Sequence, residues 1–483
     1  MRWTISLLLL LAAVPAWAEL PAGMTSCRLT GVEHAAWCGS VMRPLDPAQP
    51  SGKTIAVHFA VLPAVARNKK PDPVFFFAGG PGQSAIEIAG NVSRLLARFA
   101  NRRDIVLIDQ RGTGRSAPLR CADEQPTRPL RELVDPARQR SELQQCLVAL
   151  QALPYGDLRQ FTTTIAMQDT EAVRLRLGAA RINLVGGSYG TRAALEYTRQ
   201  FPQAVRRLVI DGVAPPDMVL PASFSPDTQA AFDTLLAACE ADASCRQRHP
   251  QLRAHWHTLL NSLPRDVSVL HPVTQREERF ALTREMFTGL VRPPLYAPAL
   301  SAALPLALDE AAQGRFTALF GLAAALGSGG GLGLARGMHF SVVCAEDLPR
   351  LAATTDRPGA DFGDAITELY RGVCAGWPRG AVPADFYRVP PAPAATLLLS
   401  GGLDPATPPR HGERVAGLLG AKARHVVVPN AGHGVMALLC MRDVLFRFVD
   451  AETDEDALKV DADCAKTIPR PTVFQAITAE AAK

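Results

Sequence analysis

"NLVGGSYGTRAA", residues Asn183–Ala194, sets the frame in which the rest of the chain is read. A short apolar run ends in two glycines, a serine and another glycine, and the helix-like stretch "TRAALEYTRQF" follows at once. A strand that enters a helix through so tight a turn leaves strained backbone at the tip. The residues two before and two after that tip must be small, because strand and helix pass close together. Gly186 and Gly190 meet this need around Ser188. The turn exposes the hydroxyl and aims it at the helix N-terminus, where negative charge is favoured. This is the G-x-S-x-G pattern of a nucleophile elbow. Alone it recurs in many glycine-rich loops, and here the strand before it and the helix after it give it weight.

Other apolar runs share this form. "KTIAVHFAVLPA" (53–64), "DPVFFFAGGPGQS" (72–84), "RDIVLIDQRGTGRS" (103–116) and "RRLVIDGVAPP" (206–216) occupy the first half; "ATLLLSGGLDPATPP" (395–409) and "RHVVVPNAGHG" (424–434) come late. Short continuous apolar runs suit strands buried on both faces. Helix-like stretches lie between them, so the fold class is α/β, a mostly parallel sheet covered by helices. Residues 213–390 are rich in Ala, Leu and Pro and lack clear buried strands, which predicts a mainly helical cap. The division is therefore a signal segment 1–18, a core 19–212, the cap 213–390 and a second core part 391–483. "GSGGGLG" (327–333) reads as a connector, and without a Lys-Ser/Thr ending it does not imply nucleotide binding.

With 483 residues, 48% of them hydrophobic, the chain can bury a large core. The net charge of +5 is spread without a dense basic run, so nucleic-acid binding has no support. "MRWTISLLLLLAAVPAWA" (1–18) has Arg2, an apolar run from Ile5 to Val14 and a small-x-small site at Ala16-Trp17-Ala18. It reads as a signal peptide cleaved after Ala18, too short to anchor in a membrane. The expected location is secreted or periplasmic. Ten cysteines fall into neighbouring pairs, Cys27–Cys38, Cys121–Cys146, Cys239–Cys245, Cys344–Cys374 and Cys440–Cys464, although order alone does not fix connectivity. An exported chain favours disulfides. No Cys/His cluster has zinc spacing, so neither a metal nor another cofactor is expected.

A serine hydroxyl needs a base, and the base needs a carboxylate to orient it. His433 in "NAGHG" sits in a glycine-flanked loop just past the strand "HVVVP". His249, His255, His257 and His271 look like ordinary cap residues, and His339, His411 and His425 have weaker contexts. For the acid, Asp404 follows the strand "TLLLS", in the chain order serine, acid, histidine. Asp211, after "RRLVI", is its competitor. The oxyanion needs two fixed donors. One is the Tyr189 N–H, next to the nucleophile, and the other belongs to the turn "AGGPG" (78–82). Pro81 has no N–H, so Gly80 is the choice.

Together "FFFAGGPGQS", "IDQRGTGRS" and "LVGGSYGTR" resemble the proline iminopeptidase group of α/β-hydrolases, and within it the secreted tripeptidyl aminopeptidase-like branch. "LLLSGGLDPATPP" followed by "GHG" and a Cys-bearing helix, and the start "WCGSVMRPLDPAQP", are similar to that branch. The likeness covers the core, about two thirds of the chain, and GGPG with DQRG-x-G-x-S is far more specific than the elbow alone. It implies an α/β-hydrolase fold with an inserted helical cap, Ser188 as nucleophile, Asp404 as acid, His433 as base, and Gly80 and Tyr189 as oxyanion donors. Asp109 and Arg111 would hold the loop beside the site. Cytosolic relatives usually carry histidine before GGPG; here the residue is Ala78.

The resemblance further implies a secreted serine aminopeptidase that acts on short peptides with a free N-terminus. Such an enzyme needs a carboxylate for the ammonium group, and Glu346 in "VVCAEDLP" (342–349) is the candidate. The same triad would serve an esterase of small esters. A non-catalytic protein on the same fold would normally have lost one of the three residues, all present here.

Overall fold

The computed structural model describes residues 23–122, 127–133, 135–325 and 333–474. The expected signal segment and nearly all of the glycine-rich connector lie outside these residues.

Eleven strands occur among the described residues. They are β1 (Thr25–Cys27), β2 (Ala36–Pro44), β3 (Thr54–Leu62), β4 (Val74–Phe77), β5 (Ile105–Ile108), β6 (Ile182–Gly187), β7 (Val205–Asp211), β8 (Arg265–Leu270), β9 (Glu277–Leu282), β10 (Thr396–Gly401) and β11 (Ala423–Val428). Nine of them form one sheet in the order β1-β2-β3-β5-β4-β6-β7-β10-β11. The pairs from β5 to β11 are parallel, and those linking β1, β2, β3 and β5 are antiparallel.

The central strands are buried on both faces, as their continuous apolar runs predict. Phe75, Phe77, Leu184, Leu208, Ile210 and Leu398 enter the core on one side of the sheet. Phe76, Val185, Val209, Leu397 and Leu399 enter the core on the other. This is the period of two expected of a strand, with helices covering both faces. Each fully buried Phe or Leu contributes about 1.5–3 kcal/mol relative to exposure.

β4 pairs with β5 on one side and with β6 on the other, so chain order reverses there. In open α/β sheets the crevice at such a reversal, beyond the carboxyl ends of the strands, is where ligands bind. The turn after β4 and the elbow after β6 flank it.

Between β7 and β10 the chain builds a third core around Phe232, Trp256, Phe287, Leu304 and Phe320. Helices dominate this insertion, and prolines open several of them, as in Pro298–Ser301 and Leu304–Ala312. The composition does not suggest the antiparallel hairpin β8–β9 found within it. That hairpin buries one face only, so its strands show no continuous apolar run.

All five cysteine pairs are disulfides in the connectivity expected from their order. Such bonds belong to oxidising compartments. Reduction releases the loops they close, so thermal melting in a reductant should occur several degrees lower; an unchanged midpoint would contradict a stabilising role. No helix among the described residues is long and apolar enough to cross a membrane.

Candidate active site

Ser188 stands between β6 and the helix Tyr189–Gln200 with φ 55° and ψ −127°, a left-handed conformation rare for a residue with a side chain. The strain is held from both sides. The Ser188 N–H donates to the Asp211 carbonyl at 2.9 Å, and the Thr191 N–H donates to the Ser188 carbonyl at 2.9 Å. The flanking glycines are sterically required. A β-carbon on Gly190 would stand 2.2 Å from the Phe77 carbonyl oxygen, and one on Gly186 would stand 2.4 Å from that of Gly190.

Asp404 and His433 are brought together by the loops after β10 and β11. Nδ1 of His433 lies 2.8 Å from Oδ2 of Asp404. The other Asp404 oxygen accepts from the Ala406 and Thr407 amides at 2.8 and 3.0 Å, and the Thr407 hydroxyl donates to Oδ2 at 2.9 Å. With Nδ1–H on the carboxylate, Nε2 is the ring nitrogen left to accept a proton. Burial alone would raise the Asp404 carboxyl, but the His433 charge, its hydrogen bond and the two amides outweigh this and hold it below the ordinary value. Burial likewise pulls the imidazole down, and the charge and hydrogen bond of Asp404 outweigh that and raise it. The ring sits beside the elbow: a β-carbon on Gly212, next to the residue that holds the Ser188 amide, would stand 3.1 Å from Cε1 of His433.

Asp211 is in the same neighbourhood with other work. Its carboxylate accepts from the Val435 and Met436 amides at 3.1 and 2.8 Å, which fixes the loop just after His433. Burial pushes it up to about 6, against those two bonds.

The turn after β4 lies against the serine. A β-carbon on Gly79 would stand 3.1 Å from Cβ of Ser188. Gly80 follows with φ 113°, and its nearest surroundings are Gly82, Gln83 and Leu334. The residue in contact with the serine is therefore Gly79, one before the donor chosen from the sequence. The Tyr189 N–H opens its helix and has no carbonyl four residues back to bond.

The DQRGTG loop is tied down as expected. Asp109 accepts from the Ser84 hydroxyl at 2.5 Å and from the Ile86 and Arg115 amides at 3.2 and 3.1 Å. Arg111 grips Asp169 through Nε at 2.7 Å and its terminal nitrogen at 2.9 Å, and donates to the Leu45 and Gln160 carbonyls.

Glu346 is 1% exposed. Its oxygens accept from the Thr163 amide at 2.7 Å and the Thr163 hydroxyl at 3.0 Å, and the Arg192 guanidinium stands 3.5 Å away. Thr163 in turn meets the Tyr189 hydroxyl at 2.7 Å. Both carboxylate oxygens are engaged inside the protein, so the amine-anchoring role expected from the sequence has no open carboxylate to rest on. Its neighbour Asp347 is also committed, to both terminal nitrogens of Arg192 at 3.0 Å.

Thr407, Tyr296 and Arg292 were missed in the sequence. Thr407 carried a usable signal, since a hydroxyl three residues after a loop aspartate often closes a turn with it. Tyr296 and Arg292 are brought in by the insertion. The Tyr296 carbonyl accepts the His433 N–H at 2.9 Å, and its ring stands edge-on to the imidazole with centroids 5.2 Å apart.

Residues 72–291 match the family described as alpha/beta hydrolase fold, and residues 360–458 match TAP-like protein. The chain is 26% identical over 437 residues to the serine protease Hip1 of Mycobacterium tuberculosis, with 83% of each chain covered. It is 32% identical over 194 residues to a tripeptidyl aminopeptidase of Streptomyces lividans, covering 37% of this chain and 35% of that one. Against a proline iminopeptidase of Neisseria meningitidis it is 30% identical over 142 residues, covering 29% and 32%. The reversal in the sheet, the strained serine elbow and these two matches agree: the chain has the α/β-hydrolase fold and is a serine hydrolase, and its C-terminal segment matches TAP-like protein.

Proposed function

We propose that this chain is an exported serine aminopeptidase, secreted or periplasmic, which releases residues from the free N-terminus of short peptides through an acyl-enzyme on Ser188. The observation that carries the reading is the buried Asp404–His433 pair at 2.8 Å, set beside a serine held at φ 55°. The peptidase and aminopeptidase names of the relatives support the substrate class.

In this reading Oγ of Ser188 attacks the scissile carbonyl while Nε2 of His433 takes its proton. Asp404 holds the imidazole in the required tautomer and stabilises its charged form. The Tyr189 N–H and an N–H of the Gly79–Gly80 turn receive the oxyanion. His433 then gives the proton to the leaving amine, the C–N bond breaks, and water activated by the same imidazole frees the acyl group. Residues 213–390 form the cap over this site.

Within the reading, Glu346 acts as a positioning residue beneath Tyr189. Burial pushes its carboxyl from 4.5 up to about 7, against the Arg192 charge and the bonds from Thr163. A carboxyl raised on folding favours the protonated fold. Its contribution is full below about pH 4.5 and is lost as pH rises through 7. Glu346→Gln should therefore flatten the decline in melting temperature between these limits. An amine anchor would instead reveal itself as a raised KM for free-amine anilides, with N-acetylated ones unaffected.

The mature protein tested against free-amine Pro, Ala and tripeptide anilides, their N-acetylated forms and a butyrate ester decides the class. Cleavage of the free-amine anilides alone, absent in Ser188→Ala, is the expected result. Cleavage of the ester alone would move the assignment to an esterase.

A further inference from the structure

A strip of side chains from the insertion crosses the site from the base to the turn after β4. Tyr296 contacts His433 at one end. The Arg292 guanidinium donates to the Tyr296 hydroxyl at 2.7 Å and stands 4.4 Å from the Phe224 ring centroid. Phe224 meets Tyr370 edge-on at 6.3 Å, and the Tyr370 hydroxyl lies 2.7 Å from Nε2 of His339. Nδ1 of His339 donates to the Pro81 carbonyl at 3.1 Å, which closes the strip on the turn beside Ser188. Arg292, Phe224, Tyr296, Tyr370 and His339 are only partly buried.

The formal charge at the centre of this strip has no carboxylate partner among the described residues. Elsewhere in the fold, buried guanidinium groups have carboxylates: Arg111 has Asp169, Arg192 has Asp347, and Arg103 has Asp72 and Asp450. Arg292 has the rings of Phe224 and Tyr296 beside it and the Tyr296 hydroxyl as a hydrogen-bond partner, and among the described residues no carboxylate at ion-pair distance. Its Nε is buried without a hydrogen-bond partner among the described residues, as is one nitrogen each of Arg103, Arg192 and Arg207. A guanidinium partly withdrawn from water gains from a carboxylate partner, and its planar fork matches one with two parallel bonds. Its charge reaches the reacting centre, where it opposes the effect of Asp404 on His433.

We propose that Arg292 is the receptor for a carboxylate carried by the substrate close to the scissile bond. The proposal rests on the peptidase reading and gives it a substrate class: short peptides with either a free C-terminal carboxylate just beyond the cut or an acidic side chain next to it. The neighbouring rings and the bond to the Tyr296 hydroxyl would keep the guanidinium oriented while the carboxylate enters.

Two peptide pairs test this. The first differs only in a C-terminal acid or carboxamide; the second, amidated at its end, differs in Glu or Gln beside the cut. Wild type should prefer the carboxylate member of one pair by roughly tenfold or more in kcat/KM. A preference in the first pair assigns the C-terminal carboxylate, and in the second the side chain. The ratio should fall toward one in Arg292→Met, persist in part in Arg292→Lys, and shrink as salt is added. Equal rates within both pairs, or a ratio that survives Arg292→Met, would overturn the proposal. Calorimetric binding of the same pairs to Ser188→Ala protein, with and without Arg292→Met, reads recognition apart from turnover. If wild type cleaves no peptide, the peptidase reading falls, and the binding ratio still decides the role of Arg292.

Discussion

Ser188→Ala is expected to lower kcat/KM for any cleaved substrate by about 10⁵-fold or more, with circular dichroism and melting temperature nearly unchanged. The size follows from the way the elbow is built. The hydroxyl sits at the end of β6 with its amide held by Asp211 and its carbonyl by Thr191, so removing one oxygen disturbs no backbone contact. What remains after the substitution is binding and oxyanion stabilisation, which still accelerate the reaction over water. A decline of only a few fold would mean that another group attacks the carbonyl.

Asp404→Asn should cost about 10⁴-fold in kcat, because an amide in place of the carboxylate favours the wrong tautomer of His433. It should also move the acid limb of the pH profile. In the wild type Asp404 raises the imidazole above the ordinary 6.5, so activity falls as pH drops through a value higher than that. Without the carboxylate, burial pulls the imidazole down, offset only in part by the charge of Asp211, and the limb shifts to lower pH. Asp211→Asn provides the contrast. It leaves the Nδ1 contact intact and removes an acceptor from one of the Val435 and Met436 amides. An unsatisfied buried amide costs about 1–3 kcal/mol, so the effect should fall chiefly on stability. The opposite ranking of the two variants in kcat would transfer the acid role to Asp211.

How much of this was legible in the chain depends on the reach of each interaction. VFFF, IVLI and INLV are buried on both faces, and a continuous apolar run is the direct imprint of that burial. The elbow was legible because its demands are local: small residues at fixed offsets on either side of one serine. β2 left no such run, since its residues are mostly half-exposed near the sheet edge, and the hairpin β8–β9 alternates with polar residues for the same reason. The partners of the charged groups were hidden by distance in sequence. Asp169 lies 58 residues beyond Arg111, and Thr163 lies 183 residues before Glu346. An acidic pair in a cap loop looks available to a substrate until the fold shows Glu346 on Thr163 and Asp347 on Arg192. Arg292 carried no sequence signal at all; only the packing of Phe224 and Tyr296 around it gives its charge a meaning.

The central claim is that Ser188 becomes covalently acylated, and an organofluorophosphonate tests it directly because it traps activated serine nucleophiles. Intact mass and peptide mapping of the labelled protein should show one adduct, on the peptide containing Ser188. That adduct should be absent in Ser188→Ala and strongly reduced in His433→Ala. An adduct on another residue, or none on folded protein at pH 8, would contradict the account.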